Sequence, residues 1–170
     1  TIPQVPLMRY NEKMVFDGYD DKVSISDTSA LDISSAITIS TWIRPNGVSG
    51  FQRIIDKAGA YELFLDNDEV ELETNDDSTC TTTSPITANK WHHVVATYDS
   101  TTAKIYVNGV LGITDTPGSG ALDNGGTDLF IGTRSTSAQW FTGLIEEVSL
   151  FNTALSATEV QELFNDGVAL

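Results

Sequence analysis

At 170 residues with 40% hydrophobic side chains, the chain can close one core that buries roughly 70% of the surface its unfolded form exposes. Nine Lys and Arg against 24 Asp and Glu leave a net charge of −15, which repels phosphate backbones and anionic lipid and so excludes nucleic acid and membrane surfaces as partners. Cys80 is the only cysteine, so no intrachain disulfide can form, and no run approaches the ~18 apolar residues of a membrane span.

Taken in chain order, residues 1–12, with Pro3 and Pro6, form an extended arm able to lie on a neighbouring molecule and so support a homo-oligomer. Residues 13–170 form one folded unit. Short runs rich in Val, Ile, Thr and aromatics alternate apolar with polar residues, as half-buried strands do. They fall at Lys13–Phe16, Lys22–Ser26, Ile37–Ile43, Arg53–Lys57, Tyr61–Asp66, Glu69–Thr74, Cys80–Ser84, Lys90–Asp99, Lys104–Val107, Val110–Asp115, Asp128–Gly132 and Thr142–Phe151. In the third, Ile37, Ile39, Thr41 and Ile43 share one side and Thr38, Ser40 and Trp42 the other, until Pro45 ends the ladder. So many strands leave no room for βαβ crossovers, and the sheets are expected to be antiparallel.

Asn108-Gly109 between two apolar strands accepts the positive φ of a type I′ hairpin. Asp66-Asn67-Asp68 and Asp99–Thr102 read as further turns, and the Gly-rich stretch Thr116–Thr127 as a long surface loop. One helix is expected, after Ser156-Ala157-Thr158-Glu159, a capping box in which the Ser156 hydroxyl and Glu159 carboxylate satisfy first-turn amides. Val160, Leu163 and Phe164 make its apolar stripe, expected to pack on the edge of the sandwich, and Gly167 stops it.

The order of motifs is recognisable: Val15-Phe16-Asp17-Gly18, Leu31-Asp32-Ile33, Ile37–Pro45, Trp91–Asp99, Lys104–Gly109, Ile131-Gly132, Phe141–Val148, then Leu155-Ser156 before the helix. Together these resemble the laminin G-like, pentraxin-type jelly rolls of the concanavalin A-like lectin/glucanase superfamily. The resemblance implies an all-β fold, a two-sheet antiparallel jelly-roll sandwich with one short C-terminal helix. It also implies an extracellular or surface-associated binding or adhesion module for carbohydrate or matrix protein, with structural Ca²⁺; the superfamily includes glucanases, but their signature Asp between two Glu is missing here, so no enzyme is expected. The same resemblance sets the first strand beside the last and carries metal ligands onto Asp17 and Glu146, with Asp20 and Asp21 assisting; the family has Asp-Glu where this chain has Glu146-Glu147.

Trp42 and Trp91 read as core aromatics with internally bonded indole N–H groups, whereas Trp140, beside Gln139 and a Ser/Thr-rich turn, and Tyr19 are the candidates to stack on a sugar ring. His92 and His93 are neighbours on a strand, so they point to opposite faces and cannot chelate one ion. Asp66–Asp68, Asp76-Asp77 and Asp123–Asp128 read as solvated turns before cation sites. Glu69, Glu71 and Glu73 share one strand face at a separation of roughly 6.5–7 Å, near the window of an inverting glycosidase pair, yet Val70 and Leu72 between them mark an ordinary solvated face. Cys80 has no local base. The alternative reading is a structural or adhesive subunit of a cell surface, filament or virion.

Overall fold

The structure is a computed structural model that describes residues 5–6, 13–75, 78–117, 120–123, 126–136 and 138–166. Its strands are β1 (Val5–Pro6), β2 (Lys13–Asp17), β3 (Val23–Ile25), β4 (Ile37–Pro45), β5 (Phe51–Lys57), β6 (Tyr61–Asp66), β7 (Glu69–Thr74), β8 (Ser78–Thr81), β9 (His92–Tyr98), β10 (Ala103–Val107), β11 (Val110–Asp115), β12 (Leu129–Ile131) and β13 (Thr142–Phe151); one helix, α1, spans Ala157–Asp166. A seven-stranded sheet runs β1-β13-β4-β9-β10-β11, with β2 also on β13, and a six-stranded sheet runs β3-β12-β5-β6-β7-β8. Every pairing is antiparallel, which bears out the expected sandwich.

Period-two patterning builds the core. Ile37, Ile39 and Ile43 of β4, Leu63 and Leu65 of β6, Val70 and Leu72 of β7 and Ile145, Val148 and Leu150 of β13 all lie in one buried cluster between the sheets. Asn108 (φ 52°) and Gly109 (φ 74°) turn the β10–β11 hairpin, and Asp99 Oδ1 accepts the Thr101 and Thr102 amides at the β9–β10 turn. The strand expected at Cys80–Ser84 instead spans Ser78–Thr81, because the Thr82 hydroxyl accepts the Ser84 amide in a local turn ahead of Pro85. Within the expected arm, Val5–Pro6 pair back on Leu150 and Ser149 of β13. Among the described residues no helix is long and apolar enough to cross a membrane.

The capping box forms as expected: the Ser156 amide donates to Glu159 Oε2 at 2.8 Å and the Glu159 amide to Ser156 Oγ at 3.4 Å. The helix does not sit on the edge, however. Val160 and Leu163 pack with Val95, Tyr106, Phe151 and Leu155, so α1 lies across the outer face of the seven-stranded sheet, where those side chains form a second apolar cluster. Phe164 stacks on Trp42 (5.8 Å, 22°) and His93 (6.0 Å, 23°). Edge packing was expected because the outward apolar residues Val95, Tyr106 and Phe151 are scattered over three strands and form a patch only once the sheet is assembled.

Burial under this helix pushes the His93 imidazole down to about 4. The folded state therefore binds fewer protons than the unfolded chain, so this contribution to stability is whole above His93's ordinary 6.5 and is lost as pH falls through about 4. Phe164→Ala is expected to cost about 2 kcal/mol of stability in thermal unfolding and to return the His93 pKa toward 6.5 in an NMR titration. An unchanged His93 titration would mean that something other than α1 shields the ring.

Candidate functional site

The β2–β3 loop begins where β2 runs out of partners. Asp17, the last residue of β2, pairs with Thr142, and Gly18 then turns the chain with φ 85°. A Cβ at Gly18 would overlap the Thr142 hydroxyl, so only glycine fits both the dihedral and the space. Asp17 Oδ1 accepts the Tyr19 amide at 2.8 Å and the Asp20 amide at 3.4 Å, while the Asp17 amide donates to Asp21 Oδ2 at 2.9 Å. These bonds wind the loop so that Asp17, Asp20 and Asp21 bring carboxylate oxygens within 4.8 Å of one another. Each pair repels by roughly 1 kcal/mol even in water. Tyr19 projects from the same turn and is 79% exposed.

Three converging carboxylates are the hard oxygen donors that Ca²⁺ takes, six to eight at a time. Two of their oxygens already accept backbone amides, and the others, with water, remain to hold an ion. Glu146 does not join them. The antiparallel register sets it opposite Lys13, four rungs or ~13 Å from Asp17, and its side chain is buried on the outer face of its sheet. The strands do run side by side as the resemblance implies, but adjacency in an antiparallel pair puts residues near one strand's end beside the other's beginning. Burial pushes the Glu146 and Glu147 carboxyls upward.

Trp140 leaves the same ladder at the same end. The ladder ends at the Thr142–Asp17 rung, with Trp140 two residues before Thr142 and Tyr19 two residues after Asp17. The β12–β13 loop that carries Trp140 is tied to the outer face of the six-stranded sheet: the Arg53 amide donates to the Gln139 carbonyl at 2.8 Å, Arg53 Nε to Gln139 Oε1 at 2.7 Å, and the Ser135 amide to Asp56 Oδ2 at 2.8 Å. Trp140 itself is half-buried.

Beneath that loop lies a charged row that the sequence reading missed. Asp56, Glu62 and Glu73 stand directly opposite one another on β5, β6 and β7, with Arg53 in contact with Glu62 and 3.7 Å from Glu73. Arg53 also lies over the Phe64 ring at 4.0 Å. Asp56 and Glu62 are buried, and desolvation raises both carboxyls, Glu62 to about 7. The available signal was the charge inside apolar strands, Asp56 after Ile54-Ile55 and Glu62 between Tyr61 and Leu63.

The other sequence candidates separate. Glu69, Glu71 and Glu73 do share the outward face of β7, and Glu71 accepts the Thr81 hydroxyl at 3.0 Å. His92 bonds Thr87, while His93, on the opposite face, meets Ser40 Oγ at 2.9 Å. The indole N–H of Trp42 is buried without an acceptor among the described residues, contrary to expectation, and Trp91 is not in the core but half-buried with the Lys13 ammonium over its ring at 5.8 Å. Both indoles belong to the sheet's outward side, which the helix covers only in part. The Cys80 thiol, buried in the core, is pushed up to about 12. Asp66-Asn67-Asp68 makes the β6–β7 hairpin turn, Asp128 caps the Asp27 amide, and Asp76-Asp77 lie outside the described residues. At the far end of the sandwich, a polar cleft of about 240 Å³ is lined by Ser29, Asp32, Ser34, Ser35 and Asn152.

A family model described as the concanavalin A-like lectin/glucanases superfamily matches residues 17–161. No curated protein sequence matches the chain. Among solved structures, the binding domain of botulinum neurotoxin serotype G is similar at TM-score 0.74 and 14% identity, covering 96% of this chain and 45% of its own. Domain 4 of AbnA, an extracellular arabinanase of Geobacillus stearothermophilus, in complex with arabinotriose, is similar at TM-score 0.73 and 19% identity, covering 96% of this chain and 81% of its own. A botulinum neurotoxin type C structure, from work on cell entry through two ganglioside molecules, gives TM-score 0.69 and 17% identity over 99% of this chain and 47% of its own. The chain thus spans less than half the length of the toxin chains it resembles.

Gly18→Ala is expected to cost about 2 kcal/mol or more in thermal unfolding, because it forces a Cβ into left-handed backbone and against Thr142. A variant as stable as the parent would show that the loop has another low-energy path.

Proposed function

Because the chain belongs to the concanavalin A-like lectin/glucanases superfamily, we propose that it is a non-catalytic, extracellular carbohydrate-binding module whose ligand docks at the end of the sandwich carrying Tyr19 and Trp140. One observation carries this reading: an exposed aromatic and three converging carboxylates share one short turn, at the same end of the β2–β13 ladder as a second aromatic. Aromatic faces stack on the apolar faces of sugar rings, and polar groups fix orientation. A structural Ca²⁺ held by Asp17, Asp20 and Asp21 would cancel their mutual repulsion and rigidify the turn that presents Tyr19. The arabinotriose complex of the arabinanase domain and the ganglioside interaction of the toxin support a glycan as the ligand class.

A catalytic reading has less to stand on. The opposed carboxylates Asp56 and Glu62 are buried beneath the β12–β13 loop, out of reach of a glycosidic bond, and Glu69, Glu71 and Glu73 lie in line on a single strand. The assembly reading draws on a different observation, the exposure of Val110 (65%) and Leu111 (48%) on the edge strand β11. Multimers by light scattering together with no glycan binding would favour it.

Calorimetric titration with neutral and sialylated oligosaccharides, with and without Ca²⁺, tests the main reading. Tyr19→Ala and Trp140→Ala are each expected to weaken binding about tenfold, or about 1.4 kcal/mol, with the melting temperature unchanged for the exposed Tyr19 and lowered for the half-buried Trp140. Saturating Ca²⁺ at ~100 times its Kd is expected to add about 2.7 kcal/mol of stability, and Asp21→Asn to remove most of that gain. Melting curves indifferent to both Ca²⁺ and chelator would reject the metal while leaving the glycan site to the titration.

A further inference from the structure

The carboxyl row under the β12–β13 loop is more than a buried ion pair. Asp56 and Glu62 are direct cross-strand neighbours, with Cα atoms about 4.5–5.5 Å apart. Like charges in that position destabilise a sheet even when solvated, and here the side chains are 0% and 2% exposed. Asp56 Oδ1 and Glu62 Oε1 are buried and have no hydrogen-bond donor among the described residues. A proton held between the two carboxyls supplies the missing donor.

Charge balance leads to the same place. The groups that face this pair are Arg53 on β5, Glu73 and, further along, Glu71 on β7, and Arg134 in the covering loop; on the β12 side Lys22 lies over the Phe130 ring. Arg53 and Arg134 bring two positive charges against three negative ones from Asp56, Glu62 and Glu73. One proton makes the cluster neutral, and losing it leaves a net negative charge on side chains that burial holds away from bulk solvent. The lid on that site is formed by residues 133–136 and 138–141, held by the Ser135 amide on Asp56 and by Gln139 on Arg53.

We propose that Asp56 and Glu62 share a single proton and act as a latch for the β12–β13 loop, which docks while the proton is held and lifts to admit water when it leaves. The latch sets where Trp140 is presented; that consequence for ligand binding rests on the glycan-binding reading above, but the latch itself does not.

The direction follows from the folded state's tighter hold on the proton. Glu62 is raised from its ordinary 4.5 to about 7, by burial first and by Asp56 second. Its stabilisation is therefore full below about pH 4.5 and lost as pH rises through about 7. Hydrogen exchange at the Ser135 amide, corrected for intrinsic rates, reads the latch directly. Protection in the unaltered protein is expected to fall tenfold or more between pH 5 and pH 8.5, whereas Glu62→Gln, whose amide donates to Asp56 at every pH, stays at the pH 5 level. A fall of equal size in Glu62→Gln overturns the proposal. Should that variant fail to fold, carboxyl ¹³C titration of the unaltered protein decides alone: a step between pH 6 and 8 at Asp56 or Glu62 supports the latch, and two carboxyls ionised throughout that range refute it. Glycan titration over the same pH range separates the two ideas, since absent binding with an intact Ser135 response would reject the ligand reading and leave the latch.

Discussion

Both ends of the molecule depend on how β13 meets its neighbours. This ten-residue strand pairs with β2 along its first half, with β1 near its end and with β4 on the other side. A strict period of two would turn Val148 outward if Ile145 points inward. The chain avoids this with an irregularity between Glu146 and Ser149, where Glu147 takes φ 54° and the pairing with β4 slips. Ile145, Val148 and Leu150 therefore all reach the core, while Phe151 joins the cluster beneath α1. The unslipped half of the strand keeps Thr142 opposite Asp17 and so fixes the take-off of the carboxylate turn.

The two sheets finish their outer faces in opposite ways. On the seven-stranded sheet an amphipathic helix covers aromatic and aliphatic side chains, and burial beneath it holds the His93 imidazole neutral. On the six-stranded sheet a loop covers carboxylates and an arginine, and burial there favours the protonated acid. Desolvation is the leading cause in both places, yet it acts on a base in one and on acids in the other, so the two covers respond to pH in opposite senses. Acid loosens the helix side and alkali the loop side, which leaves the fold most secure between those limits.

Local patterning was enough for most of the architecture. Tyr61–Asp66, Glu69–Thr74, Val110–Asp115 and Thr142–Phe151 lie where alternation and turn residues place them, and the Asn108-Gly109 hairpin and the Ser156–Glu159 box form as their chemistry requires. What escaped is what depends on register. Glu146 is adjacent in strand order to the acidic turn but four rungs away from it, and no single-strand pattern carries that offset. The helix seat is likewise a sum over three strands. Asp56 and Glu62 each read alone as a single charge within an apolar strand; only cross-strand pairing turns them into a buried carboxyl pair.

Net charge bears on which glycans such a module can hold. With −15 over 170 residues, and three of those carboxylates on the turn beside Tyr19, an anionic sugar approaches against the local field at any distance within the ~8 Å that physiological salt leaves unscreened. A neutral oligosaccharide meets no such barrier and gains from stacking alone. A sialylated one requires most of the charge on the carboxylate turn to be offset first, and a bound divalent cation would cancel two of its three negative charges. On the proposed reading, Ca²⁺ is then more than a brace for the loop: it decides whether the site accepts negative charge, and the dependence of affinity on Ca²⁺ should be steep for acidic glycans and shallow for neutral ones.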